Sequence, residues 1–236
     1  MSSSPVAPSA GAGNASPLSP LDPISEQNAL FFLCDIQETF RGKIVQYDSV
    51  IAAASFLVKA ANTLRIPCVT TEQRPFKPTV QELAPLIAPD AHANHALYSK
   101  SLFSMLTPEV VAHMQSGPLA ARRHVVLFGI EAHVCVLQTT LDLLRRGYHV
   151  HAVVDGISSQ NVVDRDTALA RLAAEAARAG THGGVLHLTT AESVLFEILK
   201  DAQHPQFKAL VPAMKELAAS KKGGVAPSAG QGAAKL

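Results

Sequence analysis

Cys135 is the residue whose type and position point most directly to covalent chemistry. It follows an apolar run at residues 125–128 and a glycine, Gly129, and it lies at the start of a helically spaced apolar pattern formed by Val134, Leu137, Leu141 and Leu144. This pattern places Cys135 where a buried strand gives way to the first turn of a helix. The unpaired N–H groups and the positive dipole end of a helix start favour the thiolate, which is the nucleophilic form of cysteine. The same N–H groups can bind the oxyanion of an acyl-transfer intermediate.

Asp35 and Lys100 are the two residues that could serve Cys135 as a base and a charge partner. They are needed because a cysteine near a helix start is often only a small buried hydrophobic residue. Asp35 follows the apolar run 29–33, at the carboxyl end of a predicted strand, where α/β proteins place reactive groups. Lys100 follows a short predicted strand at 96–98, and an ammonium beside a pocket stabilises a thiolate. The alternatives are an aspartate that caps a turn and a solvated surface lysine.

The elements that must position these residues alternate along the chain. Apolar runs predict strands at 29–33, 68–71, 96–98, 125–128, 149–154 and 185–188. Helical spacing predicts helices at 50–64, capped by Asp48, at 108–114, after Cys135, at 164–179, at 191–200, capped by Thr190, and at 205–217. This alternation predicts an α/β fold, a three-layer α/β/α sandwich with a six-stranded, mostly parallel, doubly wound sheet.

Composition divides the chain into one domain and two polar ends. Residues 25–219 of the 236 form the predicted domain, and the hydrophobic content of 47% is sufficient for a substantial core. Residues 1–24 are rich in Ser, Pro, Ala and Gly and have no Lys or Arg, so we expect a disordered leader rather than a secretory signal or transit peptide. Residues 220–236 predict a flexible tail. No apolar run is long enough to span a membrane.

Charge and cysteine usage exclude several classes of partner. The 20 basic and 19 acidic residues nearly cancel, so we expect neither nucleic acid nor a membrane surface as a partner. Three widely spaced cysteines, Cys34, Cys68 and Cys135, argue against a disulfide framework or a CxxC zinc site and favour a cytoplasmic location. His92 and His95 lie on the approach to a predicted strand and point to opposite faces, so we do not expect them to bind a metal.

The motifs around the three reactive residues resemble those of the isochorismatase-like cysteine hydrolase superfamily, in particular its eukaryotic isochorismatase domain-containing proteins. The resemblance rests on Asp-Ile-Gln at 35–37, on Lys100 at a strand end and on Gly-Ile-Glu-Ala-His-Val-Cys-Val at 129–136. The stretches 154–159 (VDGISS) and 163–165 (VDR) add to it. It covers nearly the whole predicted domain.

The resemblance implies a triad in which Cys135 is the nucleophile, Asp35 accepts the thiol proton and Lys100 balances charge. It also implies a cis peptide bond between Ile130 and Glu131, which would turn the N–H of Glu131 toward the pocket to form an oxyanion hole with the N–H of Cys135. We expect Asp35 and Lys100 to matter for chemistry more than for folding. The pocket residues that we expect beside the triad are Gln37, Phe40, Phe103 and His133.

One departure from the family pattern concerns metal binding. Nicotinamidases hold a metal through Asp-x-His on the second strand, whereas this chain has Thr71, Glu72 and Gln73 there, so we expect no metal and no cofactor. The resulting hypothesis is a metal-independent cysteine hydrolase of a small amide, carbamoyl or related substrate. The alternative is a catalytically silent binding or assembly protein, and a nuclease or RNA-associated role comes third.

A homo-oligomer is a further expectation. The family commonly assembles, and the predicted helices at 191–200 and 205–217 carry apolar faces. Isologous packing of such faces is the usual route to a dimer. The alternative is that both faces simply cover the sheet.

Overall fold

The computed structural model describes residues 21–88, 94–178 and 183–223. Its centre is one sheet of six strands in the order β3-β2-β1-β4-β5-β6, in which every neighbouring pair is parallel. The strands are β1 (Ala29–Cys34), β2 (Cys68–Gln73), β3 (His95–Lys100), β4 (His124–Ile130), β5 (His149–Ser158) and β6 (Val185–Thr189). The predicted six-stranded doubly wound sheet is confirmed. The direction of winding reverses between β1 and β4, and ligands of such sheets bind at the carboxyl ends of strands beside this point.

Helices cover both faces of the sheet. They are α1 (Tyr47–Leu64), α2 (Ala84–Ile87), α3 (Pro108–Met114), α4 (Leu137–Arg145), α5 (Val162–Ala176), α6 (Ala191–Leu199) and α7 (Phe207–Gly223). Short 3-10 turns occur at Glu38–Phe40 and Gly117–Ala121, and a π-helical turn occupies Ala132–Val136.

Successive residues of the central strands point to opposite faces and build two cores. Phe31 and Phe128 lie on the face covered by α1, α6 and α7, where their rings meet edge to face. Phe32 and Leu127 lie on the other face, which α3, α4 and α5 cover. Because both faces are buried, the strands consist of nearly continuous apolar runs rather than alternating ones. The three predicted layers are therefore present.

Several predicted boundaries and caps differ from those observed. Helix α1 begins at Tyr47, so Asp48 lies within its first turn, and its N-cap residue Gln46 makes no side-chain cap. Thr190 does cap α6, because its Oγ1 accepts a hydrogen bond from the N–H of Ser193 at 3.2 Å. Helix α7 continues to Gly223, so residues 220–223 are helical rather than part of a tail.

Some sequence predictions fall outside the described residues. They are the disordered leader over residues 1–20, the flexible tail over residues 224–236, the position of His92, and the end of the predicted helix at 179–180.

The apolar faces of α6 and α7 are used within the chain. Leu195 and Ile198 of α6 and Leu210 and Leu217 of α7 are buried in the core that they share with α1. The prediction that these two faces form an interface between subunits is therefore wrong, since apolar spacing alone does not tell an intramolecular contact from an intermolecular one. Among the helices described, none is both long and apolar enough to cross a membrane.

A histidine cluster (His124, His149, His151 and His187) extends across β4, β5 and β6 near their amino ends. Strand register puts all four side chains on one face, because His124 pairs with His149 and His151 pairs with His187. Their rings stack, with Nδ1 of His124 3.1 Å from Nε2 of His151. Burial, together with the neighbouring histidines, lowers the pKa of His124 to about 4 and that of His151 to about 2.

These depressed pKa values predict a stability that depends on pH. Between the ordinary pKa of about 6.5 and the folded-state values, the unfolded chain binds more protons than the folded chain. The contribution of the cluster is therefore fully present above about pH 6.5 and is lost as the pH falls toward the folded-state values. We expect a loss approaching about 1.4 kcal/mol per pH unit for each such histidine.

Urea unfolding from about pH 7.5 to about pH 5 measures this loss. The variant His151→Leu should show a shallower dependence of stability on pH. His113→Gln, which changes a partly buried histidine outside the cluster, should keep the wild-type dependence. Equal slopes in wild type and His151→Leu would contradict the prediction.

Candidate active site

Asp35 lies directly after β1, at the carboxyl end of a central strand, and is 2% exposed. Its backbone is left-handed, with φ of 53°, a conformation that Asp and Asn tolerate better than most residues. Carboxylate oxygen Oδ1 accepts a hydrogen bond from Oγ1 of Thr71 at 2.8 Å. Oδ2 accepts one from Nζ of Lys100 at 2.7 Å. The carboxylate is therefore fixed by two neighbouring strands.

Lys100 is the last residue of β3, and its side chain reaches past β2 to the end of β1. It is only 1% exposed. Besides Asp35, its Nζ contacts Oε1 of Gln73 at 2.6 Å, the carbonyl oxygens of Leu102 and Phe103 at 3.0 Å each, and Sγ of Cys135 at 3.9 Å. Burial opposes the charged form, but the nearby Cys34, Asp35 and Cys135 raise the pKa of Lys100 above its ordinary value. The site thus contains a buried ammonium.

Cys135 sits in the π-helical turn Ala132–Val136, between β4 and α4, rather than in the first turn of an α-helix as predicted. Such turns often occur at functional sites. The backbone of Cys135 is held by Thr139, whose Oγ1 donates to the Cys135 carbonyl at 2.6 Å and accepts from the N–H of Met105 at 2.9 Å. Through these two bonds Thr139 connects the turn that carries Cys135 to the segment after β3, whose carbonyl oxygens contact the Lys100 ammonium. The cysteine is 6% exposed and lines a cavity that Asp35 also lines.

Gly129 explains how β4 approaches β1 closely enough to bring Cys135 to this site. Its φ is 142°, and an added Cβ would lie 2.1 Å from the carbonyl oxygen of Cys34 and 2.7 Å from its Cβ. A larger residue would push the two strands apart.

The predicted cis peptide bond between Ile130 and Glu131 is not present. The cis peptide in the described residues is Arg74–Pro75, whereas the chain turns at Glu131 through a left-handed conformation with φ of 49° and ψ of 78°. A left-handed residue redirects the next peptide group without a cis bond. The carbonyl of Glu131 accepts hydrogen bonds from the N–H groups of Val134 and Val136, which closes the turn. The N–H groups of Glu131 and Cys135 stay a predicted oxyanion hole.

A cavity of about 520 Å³ opens beside Asp35 and Cys135. Three phenylalanines, Phe40, Phe76 and Phe103, form an aromatic wall, and Phe40 and Phe76 meet edge to face at 5.0 Å. The polar wall consists of Lys43, Glu131, His133, Gln160, Asn161 and Asp164. Phe40, Phe103 and His133 thus occupy the positions that the sequence predicts for them.

The sequence predicts Gln37 as a pocket residue, but its side chain is buried and connects the segment after β1 to the backbone at Gln73 and Lys77. Its Nε2 donates to the carbonyl oxygens of Gln73 and Lys77, at 3.1 and 2.8 Å, and its Oε1 accepts from the N–H of Gln73 at 2.9 Å. A buried amide of this kind must be fully bonded, so its side chain turns to the backbone and away from the cavity.

Gln73 is a site residue that the sequence prediction missed. Its side chain accepts from the Lys100 ammonium, and it ends the strand that lies between β1 and β3. A polar residue in the last position of a strand next to β1 was the available signal. Gln160, which donates to Oε1 of Glu131 at 2.8 Å, carried no comparable signal because it lies beyond β5.

Thr71, Glu72 and Gln73 of β2 stand where nicotinamidases have Asp-x-His. Each of the three side chains has a hydrogen-bond partner within the protein. Thr71 donates to Asp35, Gln73 accepts from Lys100, and Oε1 of Glu72 accepts from the N–H and the hydroxyl of Thr79 at 2.6 and 2.8 Å. Within the described part of the chain, no group of three or more His, Cys, Asp or Glu residues is arranged to hold a metal ion.

Comparison with known proteins connects this geometry to a family. The isochorismatase domain model matches residues 29–183. Isochorismatase domain-containing protein 2 of Xenopus laevis is 43% identical over 187 residues, which are 78% of this chain and 82% of that relative. The chain belongs to the isochorismatase family. A secreted isochorismatase effector of Phytophthora sojae is 39% identical over 193 residues, or 80% of this chain and 85% of that protein.

The solved structure of a protein from Caenorhabditis elegans, described as a MAR1 ribonuclease, has the same fold, with a TM-score of 0.72. It is 34% identical and covers 91% of this chain and 100% of its own. Membership in the isochorismatase family supports a hydrolase role for this chain.

The other two cysteines have environments that suppress the thiolate. Burial, a hydrogen bond with Cys135 and the charge of Asp35 raise the pKa of Cys34 well above its ordinary value, against the opposing charge of Lys100. Burial raises the pKa of Cys68 to about 12. Neither side chain is more than 1% exposed.

We expect iodoacetamide at neutral pH to label Cys135 before Cys34 and Cys68. The reason is that Cys135 faces the cavity and lies 3.9 Å from the Lys100 ammonium. Peptide mapping after short labelling gives the order of reaction, and labelling of the denatured chain is the control in which the three thiols should react alike. Preferential labelling of Cys34 or Cys68 in the folded protein would contradict the assignment.

The contacts of Lys100 indicate that it also contributes to the stability of the fold, contrary to the expectation that it matters mainly for chemistry. Lys100→Met would leave the Asp35 carboxylate buried without its counter-ion, which typically costs about 3–5 kcal/mol. The double variant Asp35→Asn with Lys100→Met removes both charges and should recover part of that loss. Thermal or urea unfolding of both single variants and the double variant measures the coupling. Additive effects of the two substitutions would show that the ion pair is not the source of the loss.

Proposed function

We propose that this protein is a metal-independent cysteine hydrolase of a small amide, carbamoyl or related substrate. The observation that carries the proposal is a single buried ammonium, Lys100 Nζ, lying 2.7 Å from the Asp35 carboxylate and 3.9 Å from the Cys135 sulfur at the edge of a cavity. A base, a cation and a nucleophile in one site are the parts that acyl transfer through a thiol requires.

The first half-reaction would form a thioester. Asp35 accepts the thiol proton of Cys135, and the sulfur attacks the substrate carbonyl, so that a C–S bond forms and the carbonyl becomes an oxyanion. The N–H groups of Glu131 and Cys135 would bind that oxyanion. When the oxyanion collapses, the C–N bond breaks and Asp35 returns its proton to the departing amine.

The second half-reaction would regenerate the thiol. Asp35 takes a proton from a water molecule, whose oxygen attacks the thioester carbonyl. The C–S bond breaks, the sulfur recovers the proton from Asp35, and the acid product leaves. Lys100 stays positively charged throughout and stabilises the thiolate and the carboxylate in turn.

The cavity supports a small-molecule substrate. Its volume of about 520 Å³ and its aromatic wall of Phe40, Phe76 and Phe103 suit a compact, partly apolar group, while the opposite wall offers Glu131, Gln160 and Asn161 for polar contacts. A thiolate needs no metal to attack a carbonyl, which is why we propose a metal-independent reaction.

Mass spectrometry of the intact protein, incubated with a panel of small amides and reactive esters, tests this function. We expect a covalent adduct on wild type and none on Cys135→Ala. Asp35→Asn, which keeps the left-handed backbone, should lower the turnover of any substrate found by roughly 10²–10⁴-fold, the usual share of general acid–base catalysis. EDTA should leave that turnover unchanged. An adduct that survives Cys135→Ala, or turnover lost to EDTA and restored by zinc, would overturn the proposal.

A catalytically silent binding protein and a nuclease are the competing functions. The nuclease is considered because the similar C. elegans structure is described as a ribonuclease. However, the polar wall sets the carboxylates of Glu131 and Asp164 against the one ammonium of Lys43, so it has no excess of positive charge to attract a phosphate backbone. RNA cleavage that is abolished in Cys135→Ala would favour the nuclease, whereas tight small-molecule binding without any adduct would favour the silent protein.

We also propose a cytoplasmic homo-oligomer with no membrane and no nucleic-acid partner. The three free thiols fit a reducing compartment. Leu97 on the edge strand β3 and the nearby Leu102 and Phe103 are 44%, 53% and 52% exposed, and such a patch is typical of an interface.

Light scattering should accordingly give a mass above 24.9 kDa for wild type. Leu102→Glu should lower that mass, because it places a charge in the exposed apolar patch. A wild-type monomer at high protein concentration would contradict the proposal.

A further inference from the structure

Cys34 is a second thiol inside the site, with no part in the proposed reaction. It is the last residue of β1, is fully buried, and belongs to the same core as Cys135. Its Sγ lies 3.6 Å from Oδ2 of Asp35, the oxygen that the Lys100 ammonium holds. The Sγ of Cys135 lies 3.9 Å from that same ammonium. Both sulfurs therefore border the same ion pair.

The two thiols differ in access. Cys135 lines the cavity, so a small oxidant can reach its sulfur, whereas Cys34 is not among the lining residues and has no exposed surface. A reactive, accessible cysteine next to a sheltered one is the arrangement found in redox-sensing proteins, in which the second thiol resolves the oxidised first.

We propose that Cys34 is the resolving thiol of a peroxide-sensitive site, so that oxidation of Cys135 ends in a reversible Cys34–Cys135 disulfide. The inference rests on the reactivity of Cys135, which it shares with the proposed function, but it concerns a modification that hydrolysis does not require.

The chemistry proceeds in two balanced steps, with hydrogen peroxide as the oxidant. The Cys135 thiolate attacks one peroxide oxygen, the O–O bond breaks, and a proton completes the departing water, which leaves a sulfenic acid on Cys135. Asp35, whose Oδ2 lies 3.6 Å from the Cys34 sulfur, takes the Cys34 thiol proton as that sulfur attacks the Cys135 sulfur. The S–O bond breaks, and the sulfenic hydroxyl takes the proton from Asp35 and leaves as a second water. A dithiol such as dithiothreitol reduces the disulfide and is itself oxidised.

The local backbone permits this bond. Formation requires the two sulfurs to move from their places beside the ion pair to bonding distance, and the absence of a side chain at Gly129 already lets β4 lie close against Cys34. Cys135 is in a short π-helical turn between β4 and α4, so a small shift of its backbone toward Cys34 need not disturb the regular helix that follows. The disulfide would remove the nucleophile, yet it would protect the sulfur from irreversible oxidation to sulfinic acid.

The test treats the full chain with hydrogen peroxide, blocks remaining thiols under denaturing conditions, and maps peptides without reduction. In wild type we expect a linked peptide pair containing Cys34 and Cys135, a mass loss of two hydrogens, and one thiol, Cys68, left to alkylate. Dithiothreitol should then restore iodoacetamide labelling of Cys135.

Cys34→Ala should abolish the linked pair, and its Cys135 should gain two oxygens that dithiothreitol does not remove. Cys34→Ser, nearly equal in size to cysteine, should behave in the same way and excludes a packing defect as the cause. Cys68→Ser is the matched control, because it removes a buried thiol from the neighbouring strand, and it should still form the Cys34–Cys135 link.

Irreversible oxidation of wild-type Cys135 without a linked pair, or equal recovery in wild type and both Cys34 variants, would overturn the proposal. Labelling without peroxide separates the two hypotheses. If Cys135 labels normally but no disulfide forms, the redox site fails while the nucleophile stands. If the disulfide forms but no substrate is hydrolysed, the redox site stands while the proposed hydrolase function fails.

Discussion

The buried ammonium of Lys100 is the constraint on which the rest of the site depends. Removing an ammonium from water is costly, and only close negative charge and hydrogen-bond acceptors offset that cost. Asp35, Gln73 and the carbonyls of Leu102 and Phe103 supply them, and these groups come from the ends of β1 and β2 and from the segment after β3. The ion pair therefore holds together the ends of β1 and β2 and the segment after β3. Cys135 reaches the same point from the turn that follows β4.

The two ends of the sheet solve the problem of buried polar groups in opposite ways. At the carboxyl ends, the Lys100 ammonium is paired with the Asp35 carboxylate, and Asp35 lines a cavity. Toward the amino ends, His124 and His151 are kept neutral by burial and stack on one another, which makes that end sensitive to acid. The candidate active site and the histidine cluster thus lie toward opposite ends of one sheet.

The sequence predicted the parts of this structure that local patterns determine. Apolar runs identified all six strands, most clearly the central β1 and β4, which are buried on both faces. The residues at or beyond the ends of three strands identified Asp35, Lys100 and Cys135. What failed depends on tertiary contacts. The π-helical turn and the left-handed Glu131 arise from the fit of the turn between β4 and α4, and the inward turn of Gln37 depends on backbone groups some forty residues away.

The central claim is that the Lys100 charge controls the reactivity of Cys135. The rate of Cys135 alkylation as a function of pH, in wild type and in Lys100→Met at a temperature where both are folded, tests it most directly. Loss of the ammonium should lower the rate of Cys135 alkylation at neutral pH, since a thiolate there loses the counter-ion that lies 3.9 Å away. Profiles that coincide would show that the ammonium does not act on the thiol, and the account of the site would be wrong.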